Sequence, residues 1–128
     1  MPTFVLHRIG ELEGTYPIFK LEKDGHIYFD VFEKKIKKDR SVSGQLNSIQ
    51  AILYRIINNF PVPETKFKRL KGSVGLSDEY EIKTKDLRVY IFREKQTGNI
   101  IVWGGRKSTQ VDDIRQFRRI KQLYINTK

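Results

Sequence analysis

Five cations in the second half of the chain, Lys83, Lys85, Arg88, Arg106 and Lys107, stand where chemistry on a phosphate would need them. Strand side chains alternate at a period of two, so Lys83 and Lys85 share one face of the run YEIKTK. Arg88 opens the next run, DLRVYIF, and Arg106 with Lys107 closes the third, GNIIVWGGRK. In an antiparallel meander the third strand ends beside the turn between the first two. Lys85, Arg88, Arg106 and Lys107 would then converge at one edge of the sheet, with Lys83 nearer its middle. Arginine offers a phosphate a bidentate fork, and lysine a point charge. When a 2′-hydroxyl attacks the adjacent phosphate, such cations can stabilise the charge that builds on the non-bridging oxygens. A lysine crowded by other cations has its charged form disfavoured, which suits it to acid–base work near neutrality. The same residues could simply bind a phosphate backbone, and the charges alone favour that simpler role.

The overall charge points to the same partner. The formal net charge is +10, and it is uneven: residues 1–60 carry +2 and residues 61–128 carry +8. A charge of this size steers a protein toward polyanions. Other chemistries find no residues. There is no cysteine, which excludes disulfides and thiolate metal sites and fits a reducing cytosol. His7 and His26 lie far apart, no His/Asp/Glu cluster has ligand spacing, and no serine has a His–Asp partnership. Neither a metal nor a small-molecule cofactor is expected. No run approaches the roughly 18 apolar residues of a membrane span, and MPTFVLHRIG is no signal peptide. The expected location is the cytoplasm.

The elements that must position these cations follow from periodicity. The 128 residues suit a single domain. Thr3–Glu22 reads as two short strands, and Asp24-Gly25 as the turn of a hairpin over 16–32 whose second strand begins with His26–Phe29. A lysine-rich helical turn spans 32–38. The clearest helix runs from Ser43 to Asn59, with Leu46, Ile49, Ile52, Leu53, Ile56 and Ile57 on one face. Ser41 or Ser43 is expected to cap it, and Pro61 and Pro63 to end it. Leu87, Val89 and Ile91 alternate with Arg88, Tyr90 and Phe92, so this strand is apolar on both faces and central. Asn99–Trp103 reads the same way. Thr109 is expected to cap a final helix carrying Val111, Ile114, Phe117, Ile120 and Leu123. Trp103, Phe92 and Tyr90 read as core, and Tyr124 as a packed ring or a hydroxyl offered to a site. The expected fold is α+β: a small curved antiparallel sheet with helices on one side.

Taken together, KFKRLKG at 66–72, YEIK at 80–83, DLRVYIF at 86–92, GNIIVWGGRKST at 98–109 and the closing helix resemble the RelE/ParE superfamily of type II toxins, more on the RelE and HigB side. The resemblance covers roughly 27–125 and leaves 1–26 as an N-terminal extension or extra hairpin. It implies a microbial ribonuclease-like fold and metal-independent endoribonuclease cleavage of mRNA, commonly on the ribosome. An antitoxin protein would cover the basic surface. By this resemblance Lys83, Arg88, Arg106, Lys107 and Tyr124 form the catalytic set, while Lys66, Lys68, Arg69, Lys71 and Lys85 hold RNA. Glu81 stands where relatives can carry a lysine, and Asp112–Asp113 where they carry an aromatic hydroxyl. A non-enzymatic member of the same fold, binding nucleic acid or DNA gyrase, is the alternative, and a phage-derived structural protein is a third reading.

Overall fold

The computed structural model describes residues 1–10, 17–72 and 78–128. In chain order these form β1 (Phe4–Ile9), β2 (Ile18–Lys23), β3 (His26–Ile27), α1 (Tyr28–Lys37), α2 (Gln45–Ile57), β4 (Phe67–Arg69), β5 (Asp78–Lys83), β6 (Leu87–Glu94), β7 (Gly98–Arg106), a 3-10 turn (Lys107–Thr109) and α3 (Gln110–Asn126). The architecture is α+β, with the described strands in one mixed, open sheet ordered β1-β2-β7-β6-β5-β4 and β3 paired to β2.

β5, β6 and β7 form the expected antiparallel meander. The sheet is not antiparallel throughout, however, because β2 runs parallel to β7, with Ile18 opposite Asn99 and Lys20 opposite Ile101. Residues 98–102 of β7 are buried, so without this neighbour their backbone N–H and C=O groups would line an unpaired edge. β2 supplies the missing partner and contributes Ile18 and Leu21 to the core.

The helices lie on both sides of the sheet, not one. Leu87, Val89, Ile91 and Ile101 pack with α1 and α2, while Tyr90, Phe92, Ile100 and Val102 pack with α3. A strand apolar on both faces must be covered on both. α2 buries Leu46, Ile49, Ile52, Leu53, Ile56 and Ile57 as its periodicity requires. Each such side chain contributes about 1.5–3 kcal/mol over leaving it in water.

Three local expectations differ from the structure. His26–Phe29 is rich in strand formers, yet Tyr28 already begins α1, because Phe29, Phe32 and Ile36 then share one buried helical face. Neither Ser41 nor Ser43 caps α2, whose preceding residue is Gly44; the Ser41 hydroxyl instead donates to Asp39 at 2.6 Å. Thr109 does not cap α3 either, its hydroxyl donating to Asp113 at 2.6 Å.

Gly104 is a contact point between layers. A Cβ there would lie 2.5 Å from a ring carbon of Phe32, which is itself buried. Gly104→Ala should lower stability by about 1–3 kcal/mol, the usual cost of overpacking. Urea denaturation should show a lower midpoint at unchanged slope.

Candidate functional site

Two rows of side chains cross the face that α3 covers. Directly opposed residues of antiparallel strands point to the same side. The first row is Lys68, Glu81, Tyr90 and Trp103; the second, one pleat further along, is Lys83, Arg88 and Gly105. The sheet therefore brings Lys83, Arg88 and Lys68 together, three of the cations expected to act on RNA.

Arg88 is 5% exposed. Its Nη1 donates to the carbonyl oxygens of Thr84 at 2.7 Å and Leu87 at 2.8 Å. Its buried Nε has no hydrogen-bond partner among the described residues. The guanidinium is thus held by neutral carbonyls, in register with Lys83 on the neighbouring strand. Partial burial, then Lys68, then Arg88 push the Lys83 ammonium below the ordinary lysine range, with Glu81 opposing them.

The first turn of α3 closes over these rows. Trp103 Nε1 donates to Asp113 at 3.0 Å, and Gln110 donates to Glu81 at 3.1 Å. Glu81 is buried and also lies 3.7 Å from Lys68. Gly105 is what admits Asp113, since any Cβ there would collide with its carboxylate. The Tyr90 hydroxyl is buried without a partner among the described residues, and burial, Asp113 and Glu81 all push its pKa up. It stays a neutral phenol. Glu81, Asp113, Gln110 and the Tyr90 hydroxyl escaped sequence reasoning. The pairing of Glu81 with Tyr90 follows from the hairpin register, but nothing local places α3 above them.

Lys83 also borders an open groove of about 840 Å³ between α2, the loop at Pro61–Pro63 and the turn after β5. Arg55, Lys66 and Lys85 line it as well, and no carboxylate does among the described residues. Gln45 fixes that turn, accepting from the Asp86 backbone N–H at 2.9 Å and donating to the Asp86 carboxylate at 2.7 Å. Arg55, which shares a helical face with Ser48 and Ile52, was not anticipated.

The other expected site residues lie apart. Arg106 sits opposite Leu87, on the face of α1 and α2, and pairs with Asp39 at 2.8 Å. The cause is a bulge at Val102: Tyr90 faces Trp103, but Ile91 faces Ile101, and the extra residue reverses which side later residues point to. Lys107 borders a separate depression with Arg106, Asp86 and Ser41. Tyr124 is 6% exposed and packs on Phe4 at 5.4 Å and Phe92 at 5.8 Å. Phe92 stands four residues along β6 from Arg88, roughly 13 Å away at strand spacing. Arg69 is paired with Asp78 at 2.8 Å, and Lys71 is exposed, its carbonyl accepting from Arg118.

Among the described residues no three His, Cys, Asp or Glu side chains are grouped to hold a metal, and no helix is long and apolar enough to cross a membrane. Compared with known protein families, curated proteins and solved structures, the chain matches none.

The Asp39 clamp on Arg106 is acid-sensitive. Hydrogen bonds from Ser41, then the bond from Arg106, lower the Asp39 pKa from 3.8 to about 2. A carboxylate with a depressed folded-state pKa stabilises the fold above its unfolded pKa and loses that contribution as pH falls through the folded one. Asp39→Asn should therefore unfold at a lower temperature than wild type at neutral pH. The gap in thermal melts should close between pH 3.8 and about 2.

Proposed function

We propose that this chain is a metal-independent endoribonuclease with a RelE/ParE-like toxin fold, acting on mRNA in the cytoplasm, in association with the ribosome, and restrained by an antitoxin. The observation that carries the reading is Lys83. It is a lysine with its charged form disfavoured, set in register with a buried arginine and beside a second lysine.

The chemistry divides among the cations. Neutral Lys83 accepts the proton of an attacking 2′-hydroxyl. A bond forms between the 2′-oxygen and phosphorus, and the bond to the 5′-oxygen breaks, leaving a cyclic phosphate and a 5′-hydroxyl. Lys68, close enough to Lys83 to act on it directly, can protonate the departing oxygen. Arg88, across the strand pair, is a fixed charge that adds to burial and Lys68 in disfavouring the charged form of Lys83, and Lys85 at the groove stabilises the phosphate oxygens. Arg106 and Tyr124 take no part in this scheme, and Lys107 is left to bind the strand or the antitoxin.

One observation favours the second reading, a protein of this fold that binds nucleic acid or gyrase without cleaving. Arg88 is committed to two backbone carbonyls and nearly buried, so it offers a phosphate no exposed fork. Purified protein incubated with mRNA, with and without ribosomes, separates the two. Lys83→Ala should lower the cleavage rate about 10²–10⁴-fold, the usual worth of a positioned acid or base. It should also relieve growth arrest on induced expression. Intact mRNA under all conditions would sink the enzyme reading.

The pH profile is a sharper check. Because its pKa is depressed, Lys83 loses its proton at lower pH than a free lysine, so the rate should rise with pH and level off below the ordinary lysine range. Arg88→Gln removes one of the depressing charges and should move that plateau to higher pH, measured on a short RNA substrate.

A further inference from the structure

The end of α2 carries an aromatic pair that the scheme above leaves unused. Tyr54 and Phe60 are 56% and 50% exposed, with ring centroids 6.3 Å apart. Asn59 turns the chain with φ of 57°, and the Phe60 N–H donates to the Arg55 carbonyl at 2.8 Å, which sets the second ring beside the first.

Phe60 walls a shallow depression of about 320 Å³, together with Ile56, Val62, Phe67 and Arg93. Val62 also lines the larger groove, so the two hollows adjoin at that residue. At one end stand Arg55, Lys66, Lys83 and Lys85, none of them ion-paired among the described residues. At the other end stand two solvent-facing rings. Cations in a row ask for a polyanion; flat exposed rings ask for a flat apolar face. Single-stranded nucleic acid supplies both along one backbone, because only unpaired bases offer their faces for stacking.

We propose that the groove and the depression form one track for a single strand of nucleic acid. Its phosphates run over Arg55, Lys66 and Lys85, and a base stacks on Phe60, which Tyr54 supports. The track deepens the RNA reading, since it would hold nucleotides flanking the bond presented to Lys83. It does not require that cleavage occur.

The test uses the full chain and a labelled oligothymidylate of about twelve nucleotides, which has no 2′-hydroxyl and is not cut, read by fluorescence anisotropy. Phe60→Leu and Tyr54→Leu change exposed rings and should leave the fold intact by circular dichroism. Phe60→Leu should weaken binding about tenfold, the worth of one stacked base. Phe60→Trp should hold or strengthen it. Lys66→Ala and Lys85→Ala should each lower the slope of log affinity against log salt by about one. A duplex of equal length should compete poorly.

No binding at low salt overturns the track, as does binding that neither ring substitution weakens. Displacement by an oligoglutamate peptide as readily as by oligothymidylate also overturns it and makes the occupant an acidic protein segment. The two readings fail separately. Ring-dependent binding with intact mRNA leaves the track and removes the nuclease, whereas mRNA cleavage with ring-independent binding does the reverse.

Discussion

Everything in this molecule hangs on β6 being buried on both faces. Its alternation sends Leu87, Val89 and Ile91 to one helical layer and Arg88, Tyr90 and Phe92 to the other. The second set carries a guanidinium and a phenol into the interior with it. A buried charge needs hydrogen bonds, and Arg88 finds them on the carbonyls of Thr84 and Leu87, without a paired carboxylate among the described residues. Neutral acceptors engage Nη1 without cancelling the charge. Burial and Lys68 act most on Lys83, and the uncancelled charge of Arg88 adds to them across the hairpin.

The remaining cations divide by whether an acid holds them. Arg69, Arg106 and Arg118 are engaged by Asp78, Asp39 and Glu79, and Lys121 shares Glu79 in the core of the α3 side. These pairs fasten strands and helices to one another. Lys66, Lys83, Lys85 and Arg55 stand around one groove without an ion-pair partner among the described residues, as do other cations elsewhere on the surface, among them Lys34, Lys35 and Lys37 of α1.

Much of this was legible in the residues. α2 and the meander were readable because each buries a face whose period is visible in a short window. Lys83, expected nearer the middle of the sheet than Arg88, is set directly opposite it by the tight turn at 84–86. Three things were not legible. The parallel join of β2 to β7 links segments distant in sequence, and nothing local in either run encodes it. The position of α3 on its own side of the sheet required taking the double-faced burial of β6 at its word. Arg106 does end β7 beside the turn after β5, opposite Leu87, but its face could not be read, because one bulged residue, Val102, reverses the alternation and turns it away from Arg88.

The parallel join has a consequence for how the protein is made. Beyond β1, Ile18 finds its second partner strand only at Asn99, and a lone hairpin is at best marginally stable in water. During synthesis β1 and β2 must therefore wait, largely solvated, until β7 has emerged from the ribosome. Contacts this distant in sequence slow folding. The last part of the sheet to be translated is thus the part that joins the first part to the meander, and a nascent chain halted before residue 98 would carry an N-terminal ribbon lacking the strand it pairs with in the sheet.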